Sequence, residues 1–277
     1  MDHAGPSDVL PLRPLTTGEL LDAAVVLFRG HATVLLPAGL LFALSEQLIL
    51  APLRAAAGAV PPAYLPTWDR FGSYWLLLAA GAAIEVTLIS LLGGLTARAA
   101  GAALLGRRIS GPGLLDPRGA RFPAVVLVAG AAGTVMFTAA LAGPVWFVAY
   151  AVLGLAVPAL ILDRVPVWQS LSRSAVLACR SGLRAGLIRI LGYLVWFGIR
   201  VGLGLGALAV VESGSPWLGV LSVAGWTAVN AIAYPTLACL DAVLQVETRM
   251  RTEGLDIRLI RARTRHTLTP ELLAVDR

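Results

Sequence analysis

Six apolar runs recur along the chain, near 32–51, 73–95, 122–142, 144–162, 187–211 and 217–240. Each is close to or above the ~20 residues a helix needs to cross a bilayer core of about 30 Å. Hydrocarbon offers no water to a backbone, so a spanning segment must satisfy its own N–H and C=O groups, as a helix does. Composition points the same way: 57% of the 277 residues are hydrophobic and 14% charged, against roughly 25% charged in soluble domains. The expected fold is all-α, a polytopic membrane protein with six transmembrane helices and cytoplasmic interfacial amphipathic helices. The expected organisation is an N-terminal cytoplasmic segment 1–15, a six-helix membrane domain 16–247 and a cytoplasmic basic tail 248–277.

Orientation follows from the arginines. All 22 basic residues are Arg. Nineteen, counting Arg189 near the start of its run, fall on the side that holds both termini and two, Arg54 and Arg70, on the other, with Arg200 deep inside a run. Positive residues stay on the cytoplasmic side, so both termini are expected to be cytoplasmic. Trp68, Trp75, Trp146 and Trp217 all fall at the opposite boundary, where an interfacial aromatic belt is expected. Residues 1–18 hold two Asp, three Pro and no long apolar core, so a signal peptide is not expected there.

Between the runs, the sequence predicts a helix over 17–29, opened by a Thr16/Glu19 capping box and closed at Gly30. A second is predicted over 167–184, with Arg173, Arg180 and Arg184 on one face. Both have the narrow polar stripe of a helix lying in the interface. Asp22 to Arg29 aligns in register with Arg173 to Arg180, and each leads into a helix pair; the third such linker, near 97–121, is broken by Pro112 and Pro117. This outlines a threefold repeat of interfacial helix plus hairpin.

The absence of Lys excludes a Walker lysine, a Schiff-base lysine and a lysine general base. His3, His31 and His266 have no metal-ligand spacing, and Cys179 and Cys239 lie in separate segments. No nucleophile elbow, zinc-helix motif or phosphate loop is present. No catalytic, cofactor or metal site is therefore expected. The basic stretch Arg249 to Arg265 adjoins a span, which suits anionic lipid headgroups rather than nucleic acid.

Charges inside the runs are more informative, since each costs about 2.5–3.5 kcal/mol to insert and so calls for a partner or a role. Glu85 and Arg200 lie roughly 18–20 Å from their respective surfaces at a helical rise of 1.5 Å, and are expected to pair. Arg189 and Asp241 match in depth nearer the cytoplasm and form a second expected pair. Glu46 and Gln47, further out, are candidates to line an outward cavity. Gly198, Gly202 and Gly206 make a small-residue stripe expected to pack within the bundle. Pro235 frees the carbonyl of Ala231 and is expected to kink its helix.

Four blocks resemble one family. They are Leu12 to Asp22 with Leu27-Phe28-Arg29, Val157 to Leu162, Val167 to Arg180, and Glu247 to Asp256. In order and spacing they look like the bacterial glycerophosphoryl diester phosphodiesterase membrane-domain family. Leu244-Gln245 departs from the family pattern, which has aromatic residues before the tail motif. The resemblance implies a stand-alone membrane domain. The family's separate phosphodiesterase domain relies on metal-binding carboxylates and catalytic histidines, which these residues do not contain, so its activity is not expected here. The function expected is that of a non-catalytic component of a bacterial cytoplasmic membrane, accessory or lipid-associated, with membrane lipids and a membrane protein partner. The alternative is a small secondary transporter using Glu85 and Arg200.

Overall fold

A computed structural model describes residues 10–61, 64–65, 68–210 and 217–275. His3 and most of segment 1–15 lie outside the described residues, as does Arg277. The described residues fold into helices, with one isolated bridge between Val60 and Leu65. The order is α1 (Thr17–Gly30), α2 (Ala32–Ala57), α3 (Phe71–Leu104), α4 (Gly111–Leu115), α5 (Phe122–Leu141) and α6 (Val145–Leu153). It continues with α7 (Ala156–Leu162), α8 (Val167–Arg180), α9 (Arg184–Val210), α10 (Trp217–Glu253) and α11 (Leu255–Thr264). Six helical stretches are long and apolar enough to cross a membrane, counting α6 and α7 as one. The chain is a multi-pass membrane protein.

The centre of the bundle is α10, which packs on α1, α2, α3 and α9. Its most apolar stretch is 83% buried, whereas that of α9 is 11% buried and leaves α9 at the periphery. Pro235 lies within α10 without ending it. Its ring and the freed carbonyl of Ala231 fill a notch at Gly39 of α2, where a Cβ would stand 2.7 Å from the Pro235 ring. A side chain at Gly39 would force α2 away from α10.

Several boundaries differ from the sequence reading. α3 runs on to Leu104 because its Ala- and Gly-rich end is buried, with Gly101 under Leu162 and Leu273. α10 likewise continues to Glu253, so residues from 248 onward begin as part of the sixth span's own helix. The fourth span is broken at Gly154-Leu155 into α6 and α7. The middle linker forms only the five-residue α4, capped by Ser110 with Pro112 in its first turn.

The Thr16/Glu19 capping box is present, and Arg13 adds an ion pair to Glu19 at 2.5 Å. Gly30, expected as the cap, is helical; His31 ends α1 and at once begins α2, so no left-handed residue is needed. α1 buries Leu20, Ala23, Ala24 and Leu27.

Hydrogen bonding to Arg13, followed by that to the Thr16 backbone and hydroxyl, lowers the Glu19 carboxyl from 4.5 to about 2. A lowered carboxylate stabilises its fold above the ordinary pKa and loses that effect as pH falls through the lowered one. First-turn amides of α1, corrected for intrinsic exchange, should exchange at constant protection down to about pH 4.5 and lose protection towards about pH 2. Unchanged protection over that window would remove the cap's role.

Candidate ligand cavity at mid-span

Glu46 on α2, Glu85 on α3, Arg200 on α9, and Asn230 and Tyr234 on α10 each stand near the middle of their helices. Arg200 Nη2 donates to Glu85 Oε1 at 2.7 Å, with side chains only 5% and 9% exposed. Arg200 also lies 5.7 Å from the Tyr234 ring centroid. Asn230 and Tyr234, one helical turn apart, face Glu46 together. Asn230 Nδ2 and Tyr234 Oη donate to Glu46 Oε2 at 2.7 and 2.6 Å. Among the described residues Glu46 has neutral partners and no ion pair.

Glu46, Glu85, Arg200 and Asn230 floor a cavity of about 350 Å³, with Tyr234 behind them outside its wall. Arg54 stands in its wall towards the Arg-poor end, donating to Gln47 Oε1 at 2.5 Å and lying 4.8 Å over the Tyr64 ring. Tyr64 meets Trp226 edge to face at 5.7 Å. Gln47, expected as a lining residue, is instead buried outside the wall, where it holds Arg54; Glu46, its neighbour on α2, lines the cavity. The cavity is also open sideways. α3 and α9 lack extended packing against each other, and the lining residues Leu78, Val201 and Leu205 between them are exposed. In a bilayer that gap faces acyl chains. Arg200 Nε, Asn230 Oδ1, Trp226 Nε1 and Tyr64 Oη, all on lining residues, have no hydrogen-bond partner among the described residues.

Arg189 and Asp241 meet at 2.7 Å, both almost fully buried. Arg189 lies 3.8 Å over the Tyr150 ring and donates to the Tyr150 carbonyl. The break between α6 and α7 frees carbonyls that would otherwise bond within the helix. Tyr150 takes Arg189 and Val152 takes the Ser174 hydroxyl. Gly154 is required at this break, since a Cβ would stand 2.7 Å from Asp241 Oδ1.

A third network, at the Arg-rich end, was not anticipated. Asp163, whose side chain is fully buried, accepts from Arg249 at 2.8 Å, Arg173 at 2.9 Å and Gln245 at 3.1 Å. Arg173 and Arg249 both reach Glu253, while Glu247 pairs with Arg184 and Arg251, both of which also bond the Leu15 carbonyl. Arg249, grouped by sequence with headgroup-facing arginines, is therefore buried by its partners; Arg261, Arg263 and Arg265 are exposed. Cys179 and Cys239 are unpaired. The glycine stripe also differs from expectation: no neighbour lies within 4 Å of a Cβ built at Gly198, Gly202 or Gly206. Gly202 and Gly206 instead border an open crevice of about 430 Å³ shared with Leu221, Ser222 and Gly225 of α10, and close contact between the two helices is made lower down, at Gly192 against Leu240.

Asn230 and Tyr234 were detectable in principle as polar residues at i, i+4 spacing within an apolar run. Asp163, at a span end, carried no such signal. No protein-family model matches the chain, and no curated protein or solved structure matches it.

Removing one member of the mid-span pair leaves a buried charge alone, typically a loss of about 3–5 kcal/mol. Glu85→Gln and Arg200→Gln are each expected to lower unfolding stability by this order, and the double variant to lose less than the two losses combined. Strict additivity in a chemical-unfolding cycle would show that the two groups do not depend on each other.

Proposed function

We propose that the chain is a non-catalytic protein of a bacterial cytoplasmic membrane, with both termini cytoplasmic, and that its mid-span cavity binds a small amphiphile from the outer half of the bilayer. The observation that carries this reading is the cavity itself. It combines four charged side chains and several unpartnered polar atoms with a lateral apolar gap. A charge pair serving only to fix helix positions needs no adjoining space, whereas ligand sites are concave, largely apolar and carry a few converging polar groups. A transport role is an extension of the same reading, with the Glu85–Arg200 pair as the element a ligand would displace.

We also propose kinship with the glycerophosphoryl diester phosphodiesterase membrane-domain family, without its enzymatic activity. What supports it is that three of the four resembling blocks supply most of one network: Leu15, Arg173, Glu247, Arg249 and Glu253 converge around Asp163 and Arg184. An accessory scaffold in an envelope complex is the second reading, favoured by the uncovered small residues of α9 beside its crevice with α10, on which another helix could approach closely.

Native mass spectrometry after detergent-free extraction distinguishes the two. The expected result is a single chain carrying a small bound amphiphile, lost in Leu205→Trp, which fills the gap between α3 and α9. A stoichiometric second polypeptide with no small ligand would replace the ligand-binding reading with the scaffold.

A further inference from the structure

The floor of the cavity holds two carboxylates and one guanidinium. Arg200 is committed to Glu85 at 2.7 Å. Glu46 is 6% exposed and is held only by the amide of Asn230 and the hydroxyl of Tyr234, both on Oε2. Its Oε1 and the Oε2 of Glu85 accept no hydrogen bond among the described residues. Arg54, the wall's second cation, stands further along it, where its guanidinium meets Gln47 and the Tyr64 ring and makes no ion pair with Glu46. A lone carboxylate is the most expensive state for such a group in a membrane interior, so Glu46 takes up either a proton or a cation brought to it. The wall around it is aromatic, with Tyr74, Tyr193, Phe197 and Trp226, and ring faces attract cations most strongly where water is scarce. Beyond them lies the gap bounded by Leu78, Val201 and Leu205.

We propose that the ligand is an amphiphilic ammonium, its charge set against Glu46 and Glu85 and its apolar body in the gap between α3 and α9. The proposal rests on the reading of this cavity as a ligand site. An anion at the floor would meet two carboxyl groups and a guanidinium already paired, with the other guanidinium, that of Arg54, further along the wall. A neutral amphiphile would leave Glu46 without a counter-charge. The ammonium comes either from a free organic amine or from an amine-bearing lipid headgroup, and the same chemistry serves both.

The test uses the full chain in discs of phosphatidylglycerol, which carries no amine, with empty discs subtracted. Three probes of equal chain length, octyltrimethylammonium, octanol and octyl phosphate, are titrated by calorimetry. Saturable binding of the ammonium alone is expected, weakened about tenfold or more in Glu46→Gln. Arg54→Gln, which removes a cation from the same wall, should not weaken it. Glutamine keeps an acceptor for Asn230 and Tyr234, and thermal unfolding of each variant establishes that it is folded. Ammonium binding indifferent to Glu46→Gln overturns the proposal. Preferred binding of octyl phosphate overturns it too, yet leaves the cavity a ligand site; binding of none of the three, with no amphiphile carried from the native membrane, removes both. Phosphatidylethanolamine added to the discs separates the sources within a positive result: competition makes the ligand a lipid amine, and undiminished binding makes it a free one.

Discussion

A guanidinium placed in hydrocarbon must find an anion or a carbonyl within reach, and the arrangement of this protein follows from where those partners stand. Several of them are on α10. Glu85 of α3 holds Arg200 at mid-span beside the Tyr234 ring, Asp241 holds Arg189 one level closer to the Arg-rich end, and Glu247 receives Arg184 and Arg251 at that end itself. Serving neighbours at these levels, α10 is buried over most of the stretch from Ala233 to Met250, while its first turns leave Trp217, Val220 and Leu221 exposed. The exclusive use of arginine fits this role. Arg98 spans three carbonyls at the end of α4, and Arg121 bonds those of Leu160 and Val165 beyond α7. A planar fork with five donors bridges such sets, where a lysine ammonium presents only a compact point charge.

The pairs also explain the irregular fourth span. An uninterrupted helix would consume the Tyr150 carbonyl and present a side chain where Arg189 and Asp241 meet. Breaking it at Gly154 provides both the acceptor and the space. Such departures survive in hydrocarbon only where other groups satisfy the freed backbone, here Arg189 and Ser174.

Depth was readable from sequence because a helix rises by a constant amount per residue, so Glu85 could be set against Arg200, and Arg189 against Asp241, before any contact was known. Azimuth was not. Which face of α2 met α10 decided that Glu46 would line the cavity and Gln47 would not, and that depends on the Gly39–Pro235 notch, a contact between distant segments. Helix ends were misjudged for a related reason: α3 and α10 outrun their apolar stretches because tertiary burial sustains them. The Asp163 network escaped notice since its acid sits in a connection and its partners are scattered over α8 and α10. Two regions of different character result. The Arg-rich end is built largely from the blocks that carry the family resemblance, and its polar groups are chiefly engaged with one another. Glu46, Glu85, Arg200 and Asn230 all lie outside those blocks, beside open space. Folds are shared more widely than sites, which is why the proposed ligand site is set at mid-span.

The central claim is that polar space reaches from the Arg-poor face to the middle of the bundle. Thiol labelling tests it directly, in a background lacking Cys179 and Cys239. Gly81 lines the cavity and has room for a side chain, while Gly130 is exposed on α5, away from the cavity. With a membrane-impermeant reagent on the outer side of intact cells, Gly81→Cys is expected to react and Gly130→Cys to stay unmodified in lipid. An inert Gly81→Cys, in a folded protein whose Arg70→Cys control reacts, would contradict the cavity and leave the mid-span charges as parts of a closed bundle.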